Sequence, residues 1–138
     1  MEFSRRETLA MGLGAAVVTV LPFRVNAAAD DQIAAFTGGA DMADAGITLT
    51  APEIAENGNT VPIAVDAPGA TAIMVLATGN PTPGVATFNF GPLAGAQSAA
   101  TRIRLAGTQD VVAIAKLADG SFAKASATVK VTIGGCGG

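Results

Sequence analysis

Apolar and polar residues alternate along most of the chain after residue 40. The clearest case is the last long run, in which every second residue from Ala123 to Ile133 is apolar and most of the residues between them are Lys, Ser or Thr. A period of two places these two sets on opposite faces of an extended strand. The run therefore predicts a β-strand with one buried face, and the alternation ends at Ile133, where the sequence GGCGG begins.

Turn-forming residues divide the chain into short segments. Asp119-Gly120 predicts a hairpin between two long strands, and Asn57-Gly58 predicts a second turn. Pro62 predicts a sheet edge or a bulge because proline has no backbone N–H. The segment ATAIMVLATG is apolar at most positions, which is typical of a strand covered on both faces, and DDQIAAFTGG predicts a short helix.

The order of these segments predicts the fold class. About seven short strands follow one another with no helical pattern between them. We predict an all-β fold, an immunoglobulin-like antiparallel β-sandwich with a short N-terminal helix and a flexible C-terminal Gly-Gly-Cys-Gly-Gly arm. The expected boundaries are 1–27 for an export signal, 28–133 for the sandwich and 134–138 for the arm.

The N-terminal segment has the composition of an export signal. Arg5 and Arg6 precede an apolar run, Leu9 to Leu21, and small residues follow with cleavage expected after Ala27 or Ala29. The stretch SRRETL resembles the twin-arginine motif, which directs folded proteins to the periplasm. A membrane anchor is the alternative, but the run is too short to span a bilayer as a helix. Export in the folded state suggests that the chain leaves the cytoplasm with a partner subunit.

Charge and composition exclude several functions. The chain carries a net charge of −3 and no basic patch, which argues against nucleic acid or an anionic membrane surface as a partner. It contains no histidine, which removes Ser/His and Cys/His catalytic pairs and the commonest nitrogen ligand of zinc or copper. We therefore expect no catalytic residues, no metal site, no cofactor site and no stable membrane span.

The single cysteine of the chain is the candidate functional residue. Cys136 lies between Gly134-Gly135 and Gly137-Gly138, where no strand pattern encloses it. Glycine loses more conformational freedom on folding than other residues, so we expect an exposed thiol on a slim arm. Five residues beyond Ile133 extend at most about 17 Å, far enough to enter the active site of another protein. No activating group lies near the cysteine in sequence, so it resembles an attachment point on which other enzymes act.

Three stretches resemble one protein family. LTAPEIAENGNTVPIAV, GTQDVVAIAKLADGSFAKASATVKVTIGGCGG and the twin-arginine start resemble the SoxY family, the cysteine-bearing subunit of the sulfur carrier in bacterial thiosulfate oxidation. The terminal GGCGG is the most specific of these elements. The resemblance implies that sulfur intermediates are held covalently on Cys136.

The resemblance also implies the partners. These are a SoxZ-like second subunit in a heterodimer, a c-type cytochrome that joins thiosulfate to Cys136, a manganese-dependent hydrolase that releases sulfate, and a molybdenum-haem sulfane dehydrogenase. The carrier itself has no enzyme activity. Covalent attachment keeps each intermediate at a high effective concentration while one thiol visits several sites.

Other functions remain as alternatives. A secreted β-sandwich that dimerises through a Cys136 disulfide is the first, and it predicts a covalent dimer without sulfur adducts. A ubiquitin-like carrier that ends in Gly-Gly is opposed by the signal peptide and the all-β pattern. An enzyme that uses Cys136 as its nucleophile is opposed by the lack of a neighbouring base.

The remaining conspicuous side chains have simple structural interpretations. Arg102 and Arg104 alternate with apolar residues and are expected on the solvent face of a strand, with steering of anionic substrates as the alternative. Phe88, Phe90 and Phe122 are expected in the core or in an interface. The stretch APEIAENG is either a partner contact or a structural loop.

Overall fold

The computed structural model describes residues 27–135. Arg5 and Arg6, and Cys136, Gly137 and Gly138 at the other end, lie outside the described residues. The elements in chain order are α1 (Ala27–Thr37), β1 (Met42–Ala43), β2 (Thr48–Thr50), β3 (Ile54–Asn57), β4 (Val61–Asp66), β5 (Ala70–Ala77), β6 (Gly84–Asn89), β7 (Ser98–Ile103), β8 (Gln109–Leu117) and β9 (Phe122–Ile133). The prediction of a β fold with a short N-terminal helix is confirmed.

The strands form two sheets that pack into a sandwich. The larger sheet has the order β1-β9-β8-β5-β6, with β3 also paired to β9, and the smaller sheet has the order β2-β4-β7. Most pairs are antiparallel, as predicted, but β1 and β3 pair with β9 in parallel. Residues 27–135 form nine strands, so the expected count of about seven was too low. Strand β9 pairs with β8 along one edge, and its other edge accepts two short segments that show no strong strand pattern of their own.

The main core lies between the two sheets. Side chains from alternate positions of β4, β5 and β8 meet there and are fully or almost fully buried, among them Val61, Ile73, Val75 and Val111. Burying such side chains is worth about 1.5–3 kcal/mol each before the entropic cost of folding is counted. The alternation seen in the sequence is therefore the signature of this core.

Helix α1 covers the outer face of the larger sheet. Met74 and Leu76 on β5 point away from the main core and pack in a second apolar cluster that includes Ile33 and Phe36 of the helix. Strand β5 is thus buried on both faces, as its continuous apolar sequence predicted. The helix ends at Thr37 and is followed by Gly38 and Gly39, both with positive φ.

Two predicted backbone features are confirmed. The β8–β9 hairpin turns at Asp119-Gly120, and Gly120 has φ 87° with its N–H donating to Leu117 O across 3.0 Å. Pro62 lies on β4 beyond the last residue paired with β2, so this part of β4 has a neighbour only on the β7 side. That position tolerates a residue without an N–H.

Candidate functional site

Strand β9 brings the C-terminal tail to one end of the sandwich. The strand ends at Ile133, and the next two residues, Gly134 and Gly135, are half-buried. The backbone N–H of Gly135 donates a hydrogen bond to Leu105 O across 2.8 Å. The first two glycines, which the sequence assigns to a flexible arm, therefore contact the domain. Cys136, the predicted attachment residue, lies outside the described residues, directly after Gly135.

Three backbone hydrogen bonds connect this tail to two distant loops. The N–H of Gly58 donates to Ile133 O across 2.7 Å, the N–H of Leu105 donates to Gly58 O across 2.8 Å, and the N–H of Gly135 donates to Leu105 O. We name these four residues, Gly58, Leu105, Ile133 and Gly135, the terminal clamp. They join the β3–β4 turn, the β7–β8 loop and the end of β9.

The two glycines of the terminal clamp have no space for a side chain. A Cβ on Gly58, which is buried, would lie 2.9 Å from both Ile133 O and Val131 Cγ1. A Cβ on Gly135 would lie 2.8 Å from Asn59 N and nearer still to the Gly58 carbonyl. Backbone atoms cannot move aside as a flexible side chain can. Glycine is required at both positions by close backbone packing, and neither residue has a positive φ.

A buried amide fixes the loop that carries Leu105. Asn80 Nδ2 donates to Arg104 O across 2.8 Å, and the N–H of Ala106 donates to Asn80 Oδ1 across 2.9 Å. Asn80 thus binds the two peptide groups that flank Leu105, whose own N–H and C=O face Gly58 and Gly135. The Leu105 side chain is fully buried.

Gln109 completes this polar cluster. Its Nε2 donates to Asn80 Oδ1 across 2.8 Å and to Gly107 O across 3.0 Å, and its Oε1 accepts from the N–H of Gly79 across 2.9 Å. Asn80 and Gln109 are 7% and 8% exposed. Within residues 27–135, every buried side-chain nitrogen or oxygen has a hydrogen-bond partner, so the cluster is fully satisfied.

Two arginines lie close to the terminal clamp. Arg102 is exposed, as predicted, and its Nη1 donates to Thr60 Oγ1 across 3.4 Å. Arg104 is also exposed, but it follows the end of β7 and does not lie on a strand as expected; it directly precedes Leu105. The two cations thus lie near the end of the sandwich from which Cys136 continues, a placement that the sequence pattern alone did not reveal.

The predicted aromatic positions are mostly confirmed. Phe122 is buried beside α1, and Phe88 and Phe90 are half-buried against the main core. The stretch APEIAENG is not simply a loop, because it contributes strand β3, with Ile54 62% exposed. Its alternative role as a partner contact stays a prediction.

Two further properties concern only the described part of the chain. No group of His, Cys, Asp or Glu within residues 27–135 has the geometry of a metal site. In the same range, α1 is neither long nor apolar enough to cross a membrane.

Comparisons with known proteins identify the family. Residues 33–136 match the family model described as sulfur oxidation protein SoxY, from helix α1 up to the cysteine itself. The chain belongs to the SoxY family. The structure of the sulfur carrier protein SoxY from Chlorobium limicola f thiosulfatophilum is 38% identical, with 75% of this chain and 96% of that chain covered and a TM-score of 0.66. The resemblance inferred from the sequence is confirmed.

More distant structures share the fold alone. A superoxide reductase (neelaredoxin) from Ignicoccus hospitalis is 17% identical, covers 64% of this chain and 82% of its own, and has a TM-score of 0.56. A putative superoxide reductase from Thermotoga maritima is 18% identical, with coverages of 62% and 84% and a TM-score of 0.52. No curated protein sequence gives a significant match.

The sequence did not indicate which residues bind the root of the tail, by which we mean Gly134 and Gly135, the two residues that follow β9. The sequence pattern indicated no role for Asn80, and Gly58 was interpreted only as a turn residue. Leu105 was an ordinary apolar position. Their roles depend on contacts between segments that are far apart in sequence, and the one local signal was the glycine at 58.

Proposed function

We propose that this protein is a periplasmic covalent sulfur carrier of thiosulfate oxidation that holds its intermediates on Cys136. The observation that carries the proposal is the family match, which extends through the domain and ends at this cysteine. The similarity to a sulfur carrier structure over three quarters of the chain supports it. In this role 1–27 is a twin-arginine signal, 28–133 is the carrier domain, and the residues that follow present the thiol.

The composition of the chain suits a carrier that is acted on by other proteins. The chain has no histidine to serve as a general base, and its only cysteine, Cys136, is followed by just two glycines. A thiolate without a neighbouring base is a weak candidate for catalysis but a sufficient point of covalent attachment. The protein itself is therefore not an enzyme in this proposal.

The carrier cycle requires four steps at the Cys136 thiol and at the sulfur atoms attached to it. Thiosulfate and the Cys136 thiolate are first joined by a new S–S bond, and the electron pair that is lost passes to a c-type cytochrome. Water then cleaves the terminal sulfonate as sulfate in a manganese-dependent hydrolase, which leaves a persulfide. A molybdenum-haem sulfane dehydrogenase then oxidises the outer sulfur to a sulfonate, taking three oxygen atoms from three water molecules and accepting the six electrons while six protons are released. A second hydrolysis releases sulfate and regenerates the thiolate.

The partner subunit of the proposed carrier is a SoxZ-like protein. Export of a folded chain by the twin-arginine route is consistent with such a heterodimer, because a second subunit without a signal can leave the cytoplasm only when it is bound. The exposed Arg102 and Arg104 near the tail would attract the anionic sulfur intermediates.

Intact-mass analysis tests this function. The exported protein should be isolated from cells grown with thiosulfate, and the C-terminal peptide should carry sulfur, sulfite or thiosulfate adducts on Cys136. The Cys136→Ser variant is the matched control, because it should fold normally, carry no adduct and abolish thiosulfate-dependent respiration. A peptide that is always unmodified would contradict the proposal, and a peptide found only as a disulfide-linked dimer would favour the structural alternative.

A further inference from the structure

We propose that Gly58, Leu105 and Gly135 are positioning residues that anchor the root of the tail, so that Cys136 is presented from a fixed point on the domain. Gly135 is then the last anchored residue, and the boundary between domain and arm lies after it instead of after Ile133. The proposal deepens the carrier function. Only its consequence for the reactions of the partner enzymes rests on that function. Its structural part concerns residues of the terminal clamp alone.

A closed path of backbone hydrogen bonds holds the root of the tail on the domain. The chain is bound on both sides of Gly134, through Ile133 O at the end of β9 and through the N–H of Gly135, and both bonds lead to peptide groups that are joined by the Gly58–Leu105 bond. A simple continuation of β9 would have bound the tail to one neighbouring strand. Here two separate loops bind it, so the tail cannot leave the domain surface by fraying from a single partner.

Two of the residues in the terminal clamp are glycines in positions that have no space for a side chain. Glycine at 58 and 135 allows the two backbones to approach more closely than any side chain permits. Gly107 lies in the same loop as Leu105, and a Cβ there would have nothing within 4 Å. The glycines of the terminal clamp are therefore distinguished from a nearby glycine by what surrounds them.

Buried side-chain amides hold the loop that carries Leu105. Asn80 binds the peptide groups on both sides of this residue, and Gln109 binds Asn80. A buried polar group that lost such a partner would cost free energy, so the loop is held in one position. The support fixes the N–H and C=O of Leu105 in the direction of Gly58 and Gly135.

The anchor determines how far the thiol can travel. Consecutive Cα atoms lie about 3.8 Å apart, so Cys136 begins one such step from an anchored residue. If the tail were free from Ile133 onwards, Cys136 would be three residues from the last fixed residue and could lie up to about 10 Å from it. With the terminal clamp closed, a partner enzyme must bring its active site close to the Gly58–Leu105 end of the sandwich, and less of the tail has to be ordered when the thiol enters.

Amide hydrogen exchange of the mature protein tests the anchor. We expect the Gly135 amide to exchange at least about tenfold more slowly than in an unstructured glycine-rich peptide. Gly58→Ala and Gly135→Ala should abolish this protection at residue 135, whereas Gly107→Ala should preserve it. The amide of the buried Ile114 reports on the fold, because it should remain protected in all three variants. Gly135→Ala alters only the end of the chain, so it remains informative if Gly58→Ala fails to fold.

A nitroxide on Cys136, the only cysteine, gives an independent measurement. Its electron paramagnetic resonance spectrum should show slower motion in the wild type and in Gly107→Ala than in Gly135→Ala. Exchange of the wild-type Gly135 amide at the unstructured rate would overturn the proposal, as would equal spectra for Gly107→Ala and Gly135→Ala. Sulfur adducts on Cys136 without protection at Gly135 would disprove the anchor alone. Protection without adducts would disprove the carrier function alone.

Discussion

Gln109 donates a hydrogen bond from Nε2 to Asn80 Oδ1 across 2.8 Å, and both side chains are buried. The pair joins the loop between β5 and β6 to the first residue of β8 and supports the β7–β8 loop, in which Leu105 binds Gly135. A pair of uncharged amides can do this without the desolvation cost of a buried charge. The stability of the domain and the hydrogen bond between Leu105 and Gly135 therefore depend on the same buried contact.

Asn80→Ala should destabilise the domain by about 2–3 kcal/mol, because it leaves buried partners on Gln109 and Ala106 unsatisfied. Urea unfolding measures the change in the free energy of unfolding. The Asn59→Ala variant is a matched control, since Asn59 is exposed and its side chain bonds only to Asn57. A change below about 0.5 kcal/mol for Asn80→Ala would show that the cluster does not contribute.

Phe36→Ala should loosen α1 from the larger sheet. The rings of Phe36 and Phe122 meet edge to face with centroids 5.9 Å apart. Phe36 is half-buried, so we expect a loss of about 1–3 kcal/mol, less than for a fully buried ring. Leu93→Ala removes a side chain that is 99% exposed and should change the unfolding free energy by less than about 0.5 kcal/mol. Equal effects of the two substitutions would contradict the role of α1 as a cover.

The β8–β9 turn should contribute a pH-dependent part of the stability. The Ser121 hydroxyl and backbone N–H donate to Asp119 Oδ1 across 2.6 and 2.8 Å, and they hold the pKa of Asp119 below its ordinary value of 3.8. A lowered pKa in the folded state stabilises the protein above the unfolded value, and this part is lost as the pH falls through the folded value. The stability difference between wild type and Asp119→Ala should therefore narrow from about pH 6 to about pH 3.

Ser121→Ala tests the cause of this effect. It removes the hydroxyl that lowers the pKa of Asp119 most strongly. The free energy of unfolding of this variant, measured with urea, should fall less as the pH is lowered over the same range than that of the wild type. A wild type and an Asp119→Ala variant whose stabilities run parallel across the same pH range would refute the assignment.

The mature chain should begin at Ala28. Ala29 is only 1% exposed within α1, and cleavage after it would remove a buried residue and the first turn of the helix. Cleavage after Ala27 removes only the first helical residue, which is exposed, and leaves Ala29 in place. N-terminal sequencing of the exported protein distinguishes the two sites, and a mature chain that starts at Asp30 would contradict this prediction.

Local sequence patterns predicted the parts of the fold that local chemistry determines. The Asp119-Gly120 turn, the alternation along β9 and the two buried faces of β5 each follow from residues that are close in sequence. Strands β1 and β3 were not predicted, because two and four residues are too few to show a period. Their pairing depends on the free edge of β9, which exists only in the folded domain.

Only part of the candidate site was predicted, because some of its residues depend on contacts between segments that are distant in sequence. Cys136 could be selected from the sequence because a single cysteine between glycines has no structural explanation. The role of Gly58 could not, because its constraint is the approach of Leu105 and Gly135 in three dimensions. Glycine next to the cysteine was interpreted as a source of flexibility, whereas at Gly135 the structure shows close packing.

The terminal clamp has a consequence for the biogenesis of the protein. Its three bonds unite the β3–β4 turn, the β7–β8 loop and the end of β9, so all three segments must be in place before the bonds can close. Contacts between such distant segments require that most of the chain has already been ordered. A chain that has not finished folding cannot close these bonds, and slow exchange of the Gly135 amide would therefore report completed folding.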